Sequence, residues 1–405
     1  MKILLVNKFH YLKGGSEKYY FDLAKLLKEH GHDVAFFSMQ DEKNVKTDCK
    51  EYFVEKSDMN SKNIFKALDV IYSKKNEKAM EEALDDFKPD IVHLNNFQRQ
   101  LSASIIKPIK KRNIPIVFTA HDLQAICPAA AMLDKNRSIC EECLHGSSLS
   151  CFKKKCVKNS YLKSFLGMAE NEYYKKNKIY SEEINHIITP SKFYKKKLTE
   201  YGIKESKITA IHNFIDMPSL NKKKKTEEYM MYFGRISVEK GIFTLLEAFS
   251  KTKAGRLYIA GSGPDFDSLK SKVEKLNLRN RIIILGYLEQ RELKKYIDKC
   301  KFVVVPSIWY ENCPYSILET MAEGKAILAS NIGGIPELIE DKKTGILYEY
   351  NNINDLADKI EMLFNKDKLV DELGNNARKR AIDEYSREYY YKKLIKIYET
   401  LARGK

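Results

Sequence analysis

Short apolar runs alternate along the chain with longer stretches in which apolar residues recur every three or four positions. In the first half, Ile3–Val6, Val34–Phe37, Asp90–Leu94, Ile114–Thr119, His186–Ser191 and Ile208–Asn213 read as strands. Ser16 is placed to cap a helix running to about His30, with Tyr19, Leu23, Leu26 and Leu27 on one side and Gly31 at its end. Short apolar strands separated by helices predict a parallel sheet covered on both faces. The stretch 217–228 breaks the alternation. It holds Pro218, Ser219 and the lysine run Lys222–Lys225, and reads as an exposed linker. The alternation then restarts. Tyr229–Phe233, Leu257–Ala260, Ile282–Leu285, Phe302–Val305 and Ala326–Ala329 read as strands, with helices at Ile242–Phe249, from Pro264, at Glu289–Cys300 and near Ser316–Glu323. From about Asn354 the chain reads as helical, ending in the Tyr- and Lys-rich stretch 385–405.

The predicted organisation is therefore α/β. It has a first domain at 1–216, a second at 229–384 and a terminal helix that can cross back to the first domain. A chain of 405 residues is too long for one ordinary core. In open α/β sheets ligands bind at the carboxyl ends of the strands, and a cleft between domains is a preferred ligand site. A two-lobed closure enzyme is the expectation before any motif is considered.

Hydrophobic residues make up 43% and charged residues 31%, a globular balance. No apolar run reaches the length of a membrane span, and Met1–Asn7 turns polar too soon for a signal peptide. A cytoplasmic protein is expected, placed peripherally at the inner face of the membrane if its charge is used there. The formal net charge is +16, and residues 151–200 carry 12 basic against 5 acidic side chains. Such an excess suits an anionic partner such as a membrane surface or a nucleotide, or simply a solvated face. No nucleic-acid motif accompanies it, so no nucleic-acid partner is expected.

Four loops of the second half carry candidate chemistry. Gly234–Gly241 follows a strand and precedes a helix, and its Arg235 and Lys240 make an anion site suited to a diphosphate. Ala260–Pro264 places Gly261 and Gly263 where the backbone can approach a ligand. Pro306–Glu319 holds two glutamates eight positions apart. Glu319 is placed to accept hydrogen bonds from ribose hydroxyls, and Glu311 to do the same for a sugar ring. Paired carboxylates also occur in glycoside hydrolysis, but the neighbouring cations and Gly turns favour a bound nucleotide diphosphate. Ser330–Glu337 supplies Gly333, Gly334, Pro336 and Glu337 at another strand end.

In order and spacing these stretches, GRISVEKG, AGSGP, PSIWYENCPYSILE and SNIGGIPE, resemble the retaining family 4 glycosyltransferases. The resemblance extends over essentially the whole chain and is dense in the second domain. It implies the GT-B fold of two Rossmann-like domains facing a central cleft, and a hexosyltransferase-type activity. It implies that Arg235 and Lys240 hold the donor diphosphate, Glu319 the ribose and Glu311 the transferred sugar. Many members have Phe-Gly after the first glutamate where this chain has Asn312-Cys313-Pro314, so the backbone touching the sugar differs here. In the first domain Gly14 and Gly15 occupy the family's first glycine-rich loop. His121, at a strand end, would donate to the donor sugar or the leaving phosphate, with Asp122 to orient it or meet the acceptor.

The resemblance further implies transfer without a metal cofactor. Arg235, Lys240 and helix N-termini can stabilise the leaving diphosphate. The donor would be a nucleotide sugar and the acceptor a glycan or lipid-linked sugar of a cell-surface polysaccharide. A nucleotide-sugar epimerase, a phosphorylase of the same fold and a non-catalytic basic binding protein are the competing readings.

Five of eight cysteines fall in an insert at 127–156. Cys140-x-x-Cys143 has structural-zinc spacing, and Cys151 and Cys156 can complete a four-thiolate site, with Cys127 left as a core residue. Free thiols fit the spacing equally well. Beside them, Lys153–Lys155 and the helix-like stretch Tyr161–Tyr174 are suited to anionic lipid headgroups.

Overall fold

The computed structural model describes residues 1–55, 67–219, 226–253 and 255–404. The lysine run Lys222–Lys225 lies outside the described residues. Two compact units make up the chain: Met1–His212 with Tyr390–Lys405, and Asn213–Tyr389.

The first unit is built on seven strands: β1 (Lys2–Val6), β2 (Asp33–Met39), β3 (Lys50–Val54), β4 (Ile91–Leu94), β5 (Ile116–Thr119), β6 (His186–Thr189) and β7 (Ile208–Ala210). They form one sheet in the order β3-β2-β1-β4-β5-β6-β7, every pair parallel. The central strands are buried throughout, as continuous Ile, Val and Leu runs require when helices cover both faces. The helix Gly15–Glu29 follows β1. Its N-cap is Gly14 in extended conformation, with no side-chain cap, and Ser16 Oγ turns instead to Glu17 Oε1 at 3.0 Å. The expected serine cap is thus replaced by a glycine one residue before the helix.

The second unit repeats the plan. β8 (Tyr229–Phe233), β9 (Arg256–Ala260), β10 (Ile282–Gly286), β11 (Phe302–Val305), β12 (Ala326–Ser330) and β13 (Ile346–Tyr348) run parallel in the order β10-β9-β8-β11-β12-β13. Its core includes Met230, Phe249, Phe302, Leu328, Tyr348 and Leu356. The strand order reverses between β1 and β4 in the first sheet and between β8 and β11 in the second. These are the switch points where α/β sheets open a crevice for ligands.

The terminal helix Arg387–Arg403 buries Tyr390, Leu394 and Tyr398, spaced four apart on one side. The part from Tyr390 onward belongs to the first unit. There Tyr390 bonds Tyr19 and Tyr398 bonds His93 through short hydrogen bonds in a buried polar cluster with Thr119. Among the described residues no helix is long and apolar enough to cross a membrane.

Candidate functional site

In the second unit the loops after β8 and β11 flank the switch point and bring Lys240 to Glu311. Lys240 Nζ lies 2.7 Å from Glu311 Oε1, and Ser307 Oγ donates to the same oxygen at 2.6 Å. The Glu311 side chain is only 6% exposed. Burial alone would raise its pKa, but the Lys240 charge and the bonds from Lys240 and Ser307 outweigh it and hold the carboxyl below its ordinary value. Glu311 is therefore ionised at neutral pH. An ammonium has three N–H groups, and Glu311 takes one.

The glycines of these loops are fixed by close backbone contact. A Cβ on Gly241, which has φ +72°, would stand 1.7 Å from Pro306 O. On Gly261 it would stand 1.8 Å from Gly234 O, and on Gly263 2.1 Å from Ile236 O. On Gly333 it would stand 2.5 Å from Glu311 O, which also accepts from the Gly334 amide at 2.7 Å. The four loops thus pack main chain against main chain, and Gly333-Gly334 clamps the backbone of the buried glutamate.

Arg235 is exposed at the head of its loop, whose carbonyl is held by Tyr232 Oη at 2.7 Å. Glu319 is half-buried on the helix Tyr315–Ala322. Asn312 and Cys313 are buried, Cys313 O accepts from Asn213 Nδ2 at 3.2 Å, and burial pushes the Cys313 thiol up to about 12.

In the first unit, Gly14 and Gly15 open the helix after β1, so their amides lie at its positive end. His121 follows β5 by two residues, and its Nε2 stands 2.9 Å from Asn95 Oδ1 at the end of β4. An amide oxygen only accepts, so Nε2 carries the proton. Burial lowers the His121 pKa to about 3, keeping the ring neutral. Asp122 is engaged with the Gln124 amide at 2.9 Å.

The insert places Cys127, Cys140, Cys143, Cys151 and Cys156 around one cavity of about 10 Å³, room for a single water-sized atom. All five are free thiols. A hydrogen bond from Cys151 lowers the Cys156 thiol to about 7. Among the described residues no three His, Cys, Asp or Glu side chains are placed to hold a metal ion.

The family model described as Glycosyltransferase Family 4 matches residues 13–217, half of the chain, and that of glycosyl transferases group 1 matches 215–380. The chain belongs to glycosyltransferase family 4. A poly(ribitol-phosphate) alpha-N-acetylglucosaminyltransferase of Staphylococcus aureus is 32% identical over 48% of the chain, a match spanning only 40% of that relative's length. An N-acetyl-alpha-D-glucosaminyl L-malate synthase of Bacillus anthracis is 24% identical over 96% of the chain and 93% of its own length. The solved structure of Anabaena HepE in complex with UDP aligns with TM-score 0.70 over 99% of the chain and 100% of its own, at 16% identity. The two sheets are accordingly the Rossmann-like domains of a GT-B glycosyltransferase.

Sequence reading of this family 4 chain missed two polar groups that position its site residues. Ser307 supports Glu311, and its place in the Pro-Ser turn four residues upstream was visible. Asn95 holds His121, and only the pairing of β4 with β5 reveals it.

Two outcomes follow. Gly261→Ala should cost at least about 2 kcal/mol, because the new carbon meets a carbonyl that cannot move without opening two loops; denaturant midpoints that match wild type would refute the packing account. His93, with no exposed surface, has its pKa lowered by burial to about 3. The unfolded chain takes up this proton near pH 6.5 and the native chain does not, so stability falls as pH drops from 6.5 toward 3. Between pH 7 and 5 this one group should remove about 2 kcal/mol, and the loss should shrink in His93→Gln.

Proposed function

We propose that the chain is a retaining glycosyltransferase that moves a sugar from a nucleotide-diphosphate donor to a glycan or lipid-linked acceptor of a cell-surface polysaccharide. The observation that carries this reading is the buried, ionised Glu311 held by Lys240 at the β8/β11 switch point. An ionised carboxylate in a crevice is a strong acceptor for sugar hydroxyls. Two N–H groups of Lys240 remain to meet phosphate oxygens, and Arg235 on the same loop adds a second cation. Charge growing on the leaving diphosphate would be stabilised by these side chains, with no metal required. His121 is the first unit's candidate for a contact to the donor. The UDP bound by HepE and the polymer acceptor in the name of the Staphylococcus aureus relative support the substrate classes. The cysteine cluster takes no part in this reading.

A thermal-shift series against UDP-, GDP-, ADP- and dTDP-sugars, with and without EDTA, tests the donor. One nucleotide family should raise the midpoint, unchanged by EDTA, because a ligand that binds only the folded state stabilises it. Glu319→Ala should abolish that shift. Absence of a shift with every nucleotide sugar would sink the proposal. Arg235→Ala should lower turnover roughly 100-fold with little change in stability, and near-normal turnover would remove Arg235 from the diphosphate site.

A further inference from the structure

The first unit leaves a cluster of large apolar side chains in water. Leu149, Tyr161, Leu162 and Phe165 are 41%, 54%, 54% and 46% exposed. Four of the ten exposed large hydrophobic residues among the described residues thus fall within one short stretch. They sit on the helices Leu149–Lys153 and Tyr161–Lys176, joined by Phe152, whose ring lies 5.6 Å from Tyr161 and 6.1 Å from Phe165. Tyr161, Leu162 and Phe165 fall on one side of their helix.

Lysines surround this patch. Lys153 and Lys158 are exposed, Lys163 is half-buried, and Lys155 Nζ stands 4.1 Å over the Tyr161 ring. No Asp or Glu occurs between Cys151 and Ala169. The nearby Glu142 is paired with Lys154. The opposite side of the longer helix is firmly seated. Glu170 accepts from the Arg99 amide at 2.7 Å and Gln124 Nε2 at 3.4 Å, and Asn171 Nδ2 donates to Ala125 O at 3.1 Å. The patch is therefore presented at the Ser160-capped start of a helix seated on the first unit.

We propose that this face docks on an anionic phospholipid bilayer. Aromatic and aliphatic side chains ringed by lysines match the headgroup boundary, where rings enter the interface and ammonium groups reach the phosphates. A second copy of the chain is a poor occupant, since two such faces would oppose lysine to lysine. The proposal rests on exposure and charge alone and is independent of the donor assignment.

Flotation of the full chain with vesicles tests it. Co-flotation is expected with phosphatidylcholine–phosphatidylglycerol vesicles at low salt, not with phosphatidylcholine alone, and it should fade at high salt. Lys153→Gln with Lys158→Gln should weaken binding about thirty-fold, because each lysine near an anionic surface strengthens binding about fivefold. Leu162→Ser with Phe165→Ser should weaken it further. Both double variants change solvent-facing positions, so their melting midpoints and nucleotide-sugar shifts should match wild type. Failure to float with anionic vesicles, equal binding to neutral vesicles, binding kept by both variants, or a dimer that Phe165→Ser dissociates would each overturn the proposal.

Discussion

A carboxylate taken out of water is stable only where a cation and hydrogen-bond donors replace its hydration, and Glu311 sets this requirement for the second unit. Lys240 supplies the cation and Ser307 a donor. For the two to meet, the loops after β8 and β11 must lie against each other. They do so through the Ile308 amide on Glu239 O at 3.0 Å and through Gly241 against Pro306. The loop after β12 then closes on Glu311 through Gly333 and Gly334. The ion pair and the bare backbones are one device. A side chain at Gly241 would separate the loops after β8 and β11 and leave the buried charge without its partner, and one at Gly333 would strike the Glu311 backbone.

The central strands were legible because a sheet covered on both faces needs uninterrupted apolar runs. One edge of each sheet was not. β3, at a margin of the first sheet, has the sequence Lys-Glu-Tyr-Phe-Val and is largely half-exposed, so it shows no apolar run. β13, at a margin of the second, has only three residues. The helix Lys74–Phe87 was overlooked amid its charges, although Ser73 caps it by accepting from the Asn76 amide. Within the site, Arg235, Lys240, Glu311 and Glu319 stood out by spacing. The reason for the glycines did not, because what a Cβ would strike lies on another loop: Gly333 meets residue 311, and Gly241 meets residue 306.

The insert shows the same limit. Spacing grouped Cys140, Cys143, Cys151 and Cys156 and left Cys127 to the core, whereas the fold sets all five around one cavity. Spacing along the chain says which residues can meet; only the path of the loop says which do. Here the Leu133–Ile139 bridge folds the segment back and brings Cys140 N to Met132 O at 2.9 Å, beside Cys127.

The half-buried His121 and the buried Glu311 show how one low-dielectric rule gives opposite charges. His121 has no carboxylate among the causes of its shift, so burial drives it neutral. Glu311 faces the same penalty but has an ammonium at 2.7 Å, and it stays charged. The neutral ring keeps its charge state across the physiological range. The charged carboxylate, clamped by Lys240, offers acceptor capacity that likewise persists. Neither group is poised near neutrality as a general base would be. A reaction at either site would have to draw its proton transfer from other groups.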